Sequence, residues 1–214
     1  MVTTRAPLID RGEAILAAAL QVFGRDGFTD GNVDEIARVA GVAKPTIYKR
    51  FGDKQGLFSA AVLRGSALAN DRVLDVINSV DLRPADLRAE LERLGQALVG
   101  CVSHDEGSAL MRLQFGERGR FPELLDDIRE GNRARTIDAL AGKLAQLATA
   151  GYLSLHDAPR AARQFISLVT DDAVSVSGFG ARVLTHAELD EPVSAGVDTF
   201  LAAFGAQARP SRRP

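Results

Sequence analysis

The chain has 214 residues, of which 46% are hydrophobic and 25% charged, and its formal net charge is −2. This composition is that of a folded globular chain of one or two domains, and it excludes both a disordered chain and polyanion binding through overall positive charge. No apolar run is long enough to cross a bilayer, residues 1–10 lack the apolar segment of a signal peptide, and the single cysteine, Cys101, fits a reducing compartment. We therefore expect a cytoplasmic protein without membrane association.

Apolar residues recur almost everywhere at helical spacing, and no segment alternates as a half-buried strand does. The first helix is predicted to begin at Asp10, with Glu13 as its capping-box partner. Gly27 is predicted to end that helix in the left-handed conformation, so that Phe28 folds back onto it. About nine helices are predicted in all, the later ones near residues 32–40, 45–51, 54–80, 84–101, 110–117, 122–150, 159–176 and 191–204.

Residues 32–51 are the most informative segment of the chain. Two short predicted helices meet at Gly41, and Asn32 is a suitable N-cap for the first of them. Ala37 is small enough to let the two helices cross closely, and Pro45 suits the first turn of the second helix because its missing N–H costs nothing there. This pattern predicts a helix-turn-helix, whose second helix enters the major groove of DNA by its N-terminal end.

The start of that second helix carries side chains that bind phosphate groups. Between Lys44 and Lys54, four basic residues accompany one acidic residue, a local charge of +3. Lysine and arginine neutralise phosphates, and hydroxyl groups donate hydrogen bonds to phosphate oxygens. Lys54 also stands at the start of the next helix, where unpaired amides favour an anion. The candidate DNA-binding residues are Lys44, Pro45, Thr46, Tyr48, Lys49 and Lys54, with Arg50 beside them.

Residues 10–57 closely resemble the DNA-binding domain of the tetracycline-repressor (TetR) family, above all in the stretches 33–37 (VDEIA) and 40–54 (AGVAKPTIYKRFGDK). The motif is specific because glycine, threonine, tyrosine and lysine stand at fixed positions within about twenty residues. The resemblance implies an all-α fold in which a three-helix helix-turn-helix domain precedes a larger helical bundle. We expect DNA binding in residues 9–69, ligand binding and dimerisation in residues 70–208, and a flexible tail at 209–214.

The resemblance also assigns roles to the candidate residues. It implies that Thr46, Tyr48 and Lys54 contact phosphates. It implies that Lys44, Pro45 and Lys49 face the edges of bases.

Two positions depart from the family pattern. Asn32 replaces a threonine or serine, which puts a hydroxyl–phosphate contact there in doubt but still allows capping. Ala43 replaces a common serine, so the second helix of the motif lacks a side-chain N-cap, a loss of about 1 kcal/mol.

The remainder of the chain resembles the AefR-like subgroup of the family more loosely, in residues 120–124 (RFPEL) and 161–165 (AARQF). The resemblance implies a homodimer formed through the last two long helices. Helical bundles commonly hold ligands between their helices, which predicts a small-molecule effector. Candidate pocket residues are Leu98, Cys101, Met111, Phe115 and Phe165, although an apolar stripe at helical spacing is more often plain core.

These patterns predict a ligand-responsive, sequence-specific transcriptional regulator of the nucleoid, a repressor that binds a palindromic double-stranded operator as a dimer. A small apolar or amphipathic molecule would release it by moving two recognition helices away from their spacing of about 34–36 Å. No cofactor or metal is predicted, because the histidines are dispersed without ligand spacing. A helical carrier that has lost DNA binding is one alternative, and its DNA affinity would not depend on salt. An enzyme is another, and it would need convergent titratable groups that the sequence does not offer.

Overall fold

The computed structural model describes residues 11–206, apart from the side chains of Val102, Asp105 and His186. Over this range the chain forms nine helices joined by turns, which confirms the predicted all-α fold. The predicted N-cap Asp10 and the predicted flexible tail 209–214 lie outside the described residues. The helices are α1 (Arg11–Asp30), α2 (Val33–Ala40), α3 (Lys44–Phe51), α4 (Lys54–Asn78), α5 (Leu87–Ser103), α6 (Asp105–Gly116), α7 (Pro122–Thr149), α8 (Ala158–Val176) and α9 (His186–Phe204).

Several helix starts differ from those the sequence predicts. The start near residue 191 is wrong for α9, because Thr185 and Glu188 form a reciprocal capping box and the helix passes through Pro192. The start at Pro84 is wrong for α5, because the Asp86 carboxylate accepts from the Ala89 N–H and caps the helix there. Both helices therefore begin at a side-chain cap that the sequence analysis did not identify.

Packing divides the chain into two compact units. One contains residues 11–68 and 109–128, and the other contains residues 69–108 and 129–206. Residues 109–128 thus pack with the N-terminal helices, although the sequence analysis included them in the C-terminal bundle. The functional assignment of residues 9–69 and 70–208 stays a prediction.

The core of the first unit is built around four phenylalanines. Gly27 has φ = 75° and ψ = 179°, a positive-φ conformation that favours glycine but is more extended than the predicted left-handed one, and α1 continues past this kink to Asp30. The kink lets the Phe28 ring return to 6.1 Å from the Phe23 ring. Phe58 of α4 packs edge-on against both rings, and Phe121 stacks on Phe58 with 4.6 Å between centroids. The cluster joins the two sides of the Gly27 kink in α1 to α4 and to the residue that precedes α7.

The core of the second unit lies between α5, α7, α8 and α9, with the end of α4 packed against them. The predicted α5 stripe of Leu91, Leu94 and Leu98 is buried there. Phe165 of α8 and Phe200 of α9 meet edge to face at 5.1 Å. A further charged contact joins the helix surfaces, where Arg88 of α5 pairs with Asp198 of α9. These contacts hold the last two long helices side by side within one chain.

Candidate nucleic-acid interface

The turn between α2 and α3 has the geometry of a helix-turn-helix. Asn32 caps α2 as predicted, since its Oδ1 accepts from the Asp34 N–H at 2.8 Å. Gly41 has φ = 65° and ends the helix, and the Val42 N–H reaches back to the Ala37 carbonyl at 3.0 Å. Ala37 is buried, as the predicted close crossing requires. The turn therefore fixes the direction in which α3 leaves α2.

Only one side chain at the start of α3 points into the core, and this is Ile47, which is fully buried. Tyr48 is 38% exposed although it is a large aromatic residue. A core role would have buried this ring, so its exposure favours a binding role. The predicted contact residues Pro45, Thr46 and Lys49 are exposed as well, and Lys44 is half-buried. We call residues 44–49 the α3 tip.

Lys44 is held by an acidic residue that the sequence analysis did not consider. Its Nζ lies 2.9 Å from Oδ2 of Asp34 on α2, and 6.0 Å from the centre of the Tyr48 ring. The hydrogen bond to Asp34 raises the pKa of Lys44, so the ammonium stays charged at neutral pH. Asp34 lies in the first turn of α2, and Lys44 is the first residue of α3. The opposite charges at the starts of two consecutive helices were the sequence signal for this ion pair.

Lys54 is also engaged in the free protein. Its Nζ donates to the Thr29 carbonyl at 2.9 Å and lies 5.1 Å from the centre of the Phe28 ring. Asp53, just before it, accepts from the Gly56 N–H at 2.7 Å and so caps α4. Lys54, at the N-terminus of α4, is therefore fixed to the last turn of α1, and the helix dipole of α4 favours an anion there.

Arg50 lies apart from the α3 tip. A Cβ at Gly12 of α1 would overlap the guanidinium of Arg50, so this side chain packs towards α1. Its guanidinium carbon also lies 5.9 Å from the centre of the Phe51 ring. The local charge of +3 therefore includes one cation that packs towards α1 and one, Lys44, that is paired with Asp34.

The five predicted pocket residues do not all fall in one unit. Leu98 and Phe165 share the buried core of the second unit, and Cys101 lies one turn further along α5, where burial raises the pKa of its thiol. Met111 and Phe115 belong to the first unit, and Phe115 is 52% exposed. A shared ligand contact for the five residues stays a prediction.

A buried polar group on α4 was missed. Asn70 is only 5% exposed, and its Oδ1 accepts from the Thr136 hydroxyl of α7 at 3.3 Å. Its Nδ2 has no hydrogen-bond partner among residues 11–206. A turned amide would leave the oxygen unpaired instead, so one polar atom is unsatisfied either way. The signal was present in the sequence, because Asn70 stands three and seven residues before Val73 and Ile77 of the predicted buried stripe.

This chain is all-α, and its exposed helix α3, which carries lysines, follows a turn at Gly41. These features are those of a helix-turn-helix DNA-binding protein. Comparison with known families is consistent with this class. The family described as "Bacterial regulatory proteins, tetR family" matches residues 15–61, and that described as "AefR-like transcriptional repressor, C-terminal domain" matches residues 89–206. The chain therefore belongs to the TetR family of transcriptional regulators, which are DNA-binding proteins and not enzymes.

Individual relatives agree with the family assignment. The DNA-binding transcriptional repressor TetR of Mycobacteroides abscessus is 34% identical over 127 residues, which cover 54% of this chain and 67% of the relative. A TetR-family regulator from Mesorhizobium loti has a TM-score of 0.83 at 26% identity, covering 94% of this chain and all of that one. The Flavonoid-responsive Regulator FrrA has a TM-score of 0.66 at 28% identity, covering 92% of this chain and 98% of its own. Within residues 11–206 no helix has both the length and the apolar character to cross a bilayer.

Proposed function

We propose that this regulator is a repressor that binds a palindromic operator as a homodimer in the cytoplasm, at the nucleoid, and is released by a small amphipathic molecule. The observation that carries the proposal is the exposed α3 tip beside Lys54 at the N-terminus of α4. Thr46, Tyr48 and Lys54 would hold phosphates, and Lys44, Pro45 and Lys49 would face base edges.

Salt-dependent DNA binding tests these contacts. We expect Tyr48→Ala and Lys54→Ala to weaken binding to all sequences, and Lys54→Ala to reduce the slope of log K against log salt by about 0.9. Lys49→Ala should also relax the preference for one base pair. Arg133→Ala is the matched control, because it removes an exposed cation of α7 outside the α3 tip. Unchanged affinity and slope in all three variants would refute the contact scheme.

Apolar exposure on the C-terminal helices supports the dimer. Leu168 and Val176 of α8 are 37% and 54% exposed, and a second copy would cover them. On α9, the exposed faces of Ala195 and Ala202 are small enough for a partner helix to approach closely. A two-fold axis along these helices would give two α3 tips for the two half-sites of a palindrome.

Sedimentation equilibrium tests the dimer interface. Val176→Glu should convert the dimer to a monomer and abolish tight binding to a palindrome, because it buries an unpaired carboxylate at the interface. Leu63→Glu is the control, since Leu63 of α4 is 49% exposed but lies outside α8 and α9. A Val176→Glu variant that stays dimeric would rule out this interface.

The unpaired amide of Asn70 supports an effector site. A buried N–H without a partner costs about 1–3 kcal/mol, and such a cost is commonly offset by a ligand or an ordered water. Asn70 and Lys54 are on the same helix, α4. A ligand that binds Asn70 would thus act on the helix that carries a DNA contact. Because the unpaired atom of the Asn70 amide is a donor, the effector should be a neutral molecule with an acceptor oxygen. The flavonoid response named for FrrA supports an aromatic carbonyl compound.

Flavone and its 4-deoxo analogue are suitable probes for this site. We expect wild-type protein to bind flavone about tenfold more tightly than the analogue, since only flavone accepts the Asn70 hydrogen bond. The double variant Asn70→Leu with Thr136→Val should lose this preference and unfold at a higher temperature without ligand. Equal binding of both probes, or no binding, would exclude a carbonyl effector. A less stable double variant would mean that the amide is satisfied in the free protein.

A further inference from the structure

The segment 120–122 joins α6 to α7, and none of its residues is among the DNA contacts proposed above. Phe121 anchors it, because its ring stacks on Phe58 and meets Phe28 edge-on at 4.9 Å. The Phe121 N–H donates to the Glu117 carbonyl at 3.0 Å, and the Glu117 carboxylate accepts from the Phe28 N–H at 2.8 Å. The backbone at Arg120 is therefore fixed against the last turn of α1, through Glu117 before it and Phe121 after it.

This anchoring brings a second cation to the ring that already holds Lys54. The Arg120 guanidinium carbon lies 5.2 Å from the centre of the Phe28 ring, and the Lys54 ammonium lies 5.1 Å from the same point. The two charges are thus no more than about 10 Å apart, and each gains from the ring quadrupole. Like charges repel at this distance, and the repulsion falls when an anion binds between or beside them.

The available counter-charge is small. Arg120 Nε is 3.7 Å from Oε2 of Glu117, too long for a hydrogen bond, and the other oxygen of that carboxylate serves the Phe28 N–H. Lys54 is bound to a neutral carbonyl, that of Thr29. Arg120 is also exposed at its side chain, 49% of which is accessible. Arg120 thus has one partly engaged carboxylate nearby, and the Asp53 carboxylate next to Lys54 in the chain is engaged in capping α4.

We infer that Arg120 is a further phosphate contact, which extends the DNA-binding surface from Lys54 to the α6–α7 turn. The inference rests on the proposed function, because it takes Lys54 as a phosphate contact. Each DNA strand carries a charge every 3.4 Å along the axis, so cations within about 10 Å of each other reach phosphates of one backbone segment. Contacts of this kind position the protein and read no sequence.

The salt dependence of DNA binding tests the role of Arg120. Arg120→Met keeps an apolar side chain on Phe28 but removes the charge, and it should reduce the slope of log K against log salt by about 0.9 on any duplex. Between 50 and 200 mM salt this corresponds to a change of about 3.5-fold in the ratio of wild-type to variant affinity. Arg120→Lys should keep most of the slope. Arg118→Ala is the control, because Arg118 is an adjacent exposed cation paired with Asp126 at 2.9 Å.

The outcomes separate the inference from the proposed function. If wild-type protein binds DNA with a steep salt slope and Arg120→Met has the same slope, Arg120 is a structural residue and the inference is wrong. A lower thermal midpoint with an unchanged slope would lead to the same conclusion. If wild-type protein has no salt-sensitive DNA affinity, the proposed function itself fails.

Discussion

The pairing of Lys44 with Asp34 predicts that an acidic residue limits DNA affinity. The ion pair is exposed, with 40% of the Lys44 side chain and 65% of the Asp34 side chain accessible. When Lys44 leaves Asp34 for DNA, the freed carboxylate attracts a cation, so the exchange releases no net counterion. In Asp34→Asn the Lys44 ammonium has lost this ion pair before binding, so its contact with DNA releases one counterion more than in wild-type protein.

The expected magnitude follows from the charge count. One additional unpaired cation brought to the DNA surface, even at a base edge, displaces a counterion and steepens the slope of log K against log salt by about 0.9. The advantage of Asp34→Asn over wild type should therefore grow about 3.5-fold when salt falls from 200 to 50 mM. The substitution keeps the shape of the side chain, and asparagine is tolerated in the first turn of a short helix.

Fluorescence anisotropy on a double-mutant cycle would measure this effect. The four proteins are wild type, Asp34→Asn, Lys44→Ala and the double variant, each titrated at several salt concentrations. We expect the gain from Asp34→Asn to disappear in the Lys44→Ala background, because no ammonium remains to be freed. An equal gain in both backgrounds would mean that Asp34 acts only by general repulsion of DNA. A loss of affinity in Asp34→Asn would mean that Asp34 orients Lys44 for binding.

Two further predictions concern the second unit. Gly196→Ala should lower the thermal midpoint, because the new Cβ would overlap the Leu168 carbonyl at the α8–α9 crossing. Overpacking of this kind costs about 1–3 kcal/mol. Gly142→Ala, in an open part of α7, is the control and should leave the midpoint unchanged. The hydrogen bond from Arg182 and those from Thr185 lower the pKa of Glu188 from 4.5 to about 2, so its contribution to stability is complete above pH 4.5 and is lost as pH falls towards 2. Acid unfolding should begin at a higher pH in Glu188→Gln if this carboxylate caps α9, and an identical acid transition would contradict that role.

The parts of the fold that the sequence predicted correctly depend on contacts between near neighbours. Asn32 caps α2 from two residues away, and Gly41 adopts the left-handed conformation expected of it. The parts that it did not predict depend on distant contacts. The Phe28 N–H and the Glu117 carboxylate are 89 residues apart in the chain, and no periodicity indicates that they meet. The packing of residues 109–128 with the N-terminal helices follows from such contacts.

Ala43 leaves α3 without a side-chain N-cap, as the sequence predicts, and the surroundings of this position reduce the cost that the local rule assigns. The rule assigns a loss of about 1 kcal/mol to a missing cap, since the side chain would accept from the second or third N–H of the helix. In α3 the second residue is Pro45, which has no N–H, and the third, Thr46, donates to the Ala43 carbonyl at 2.8 Å. A serine at position 43 would therefore find no unpaired donor at either position, so its absence costs less than the rule assigns. The α3 tip is thus capped by its own backbone at the Thr46 N–H, and this cap does not use any of the side chains that we propose as DNA contacts.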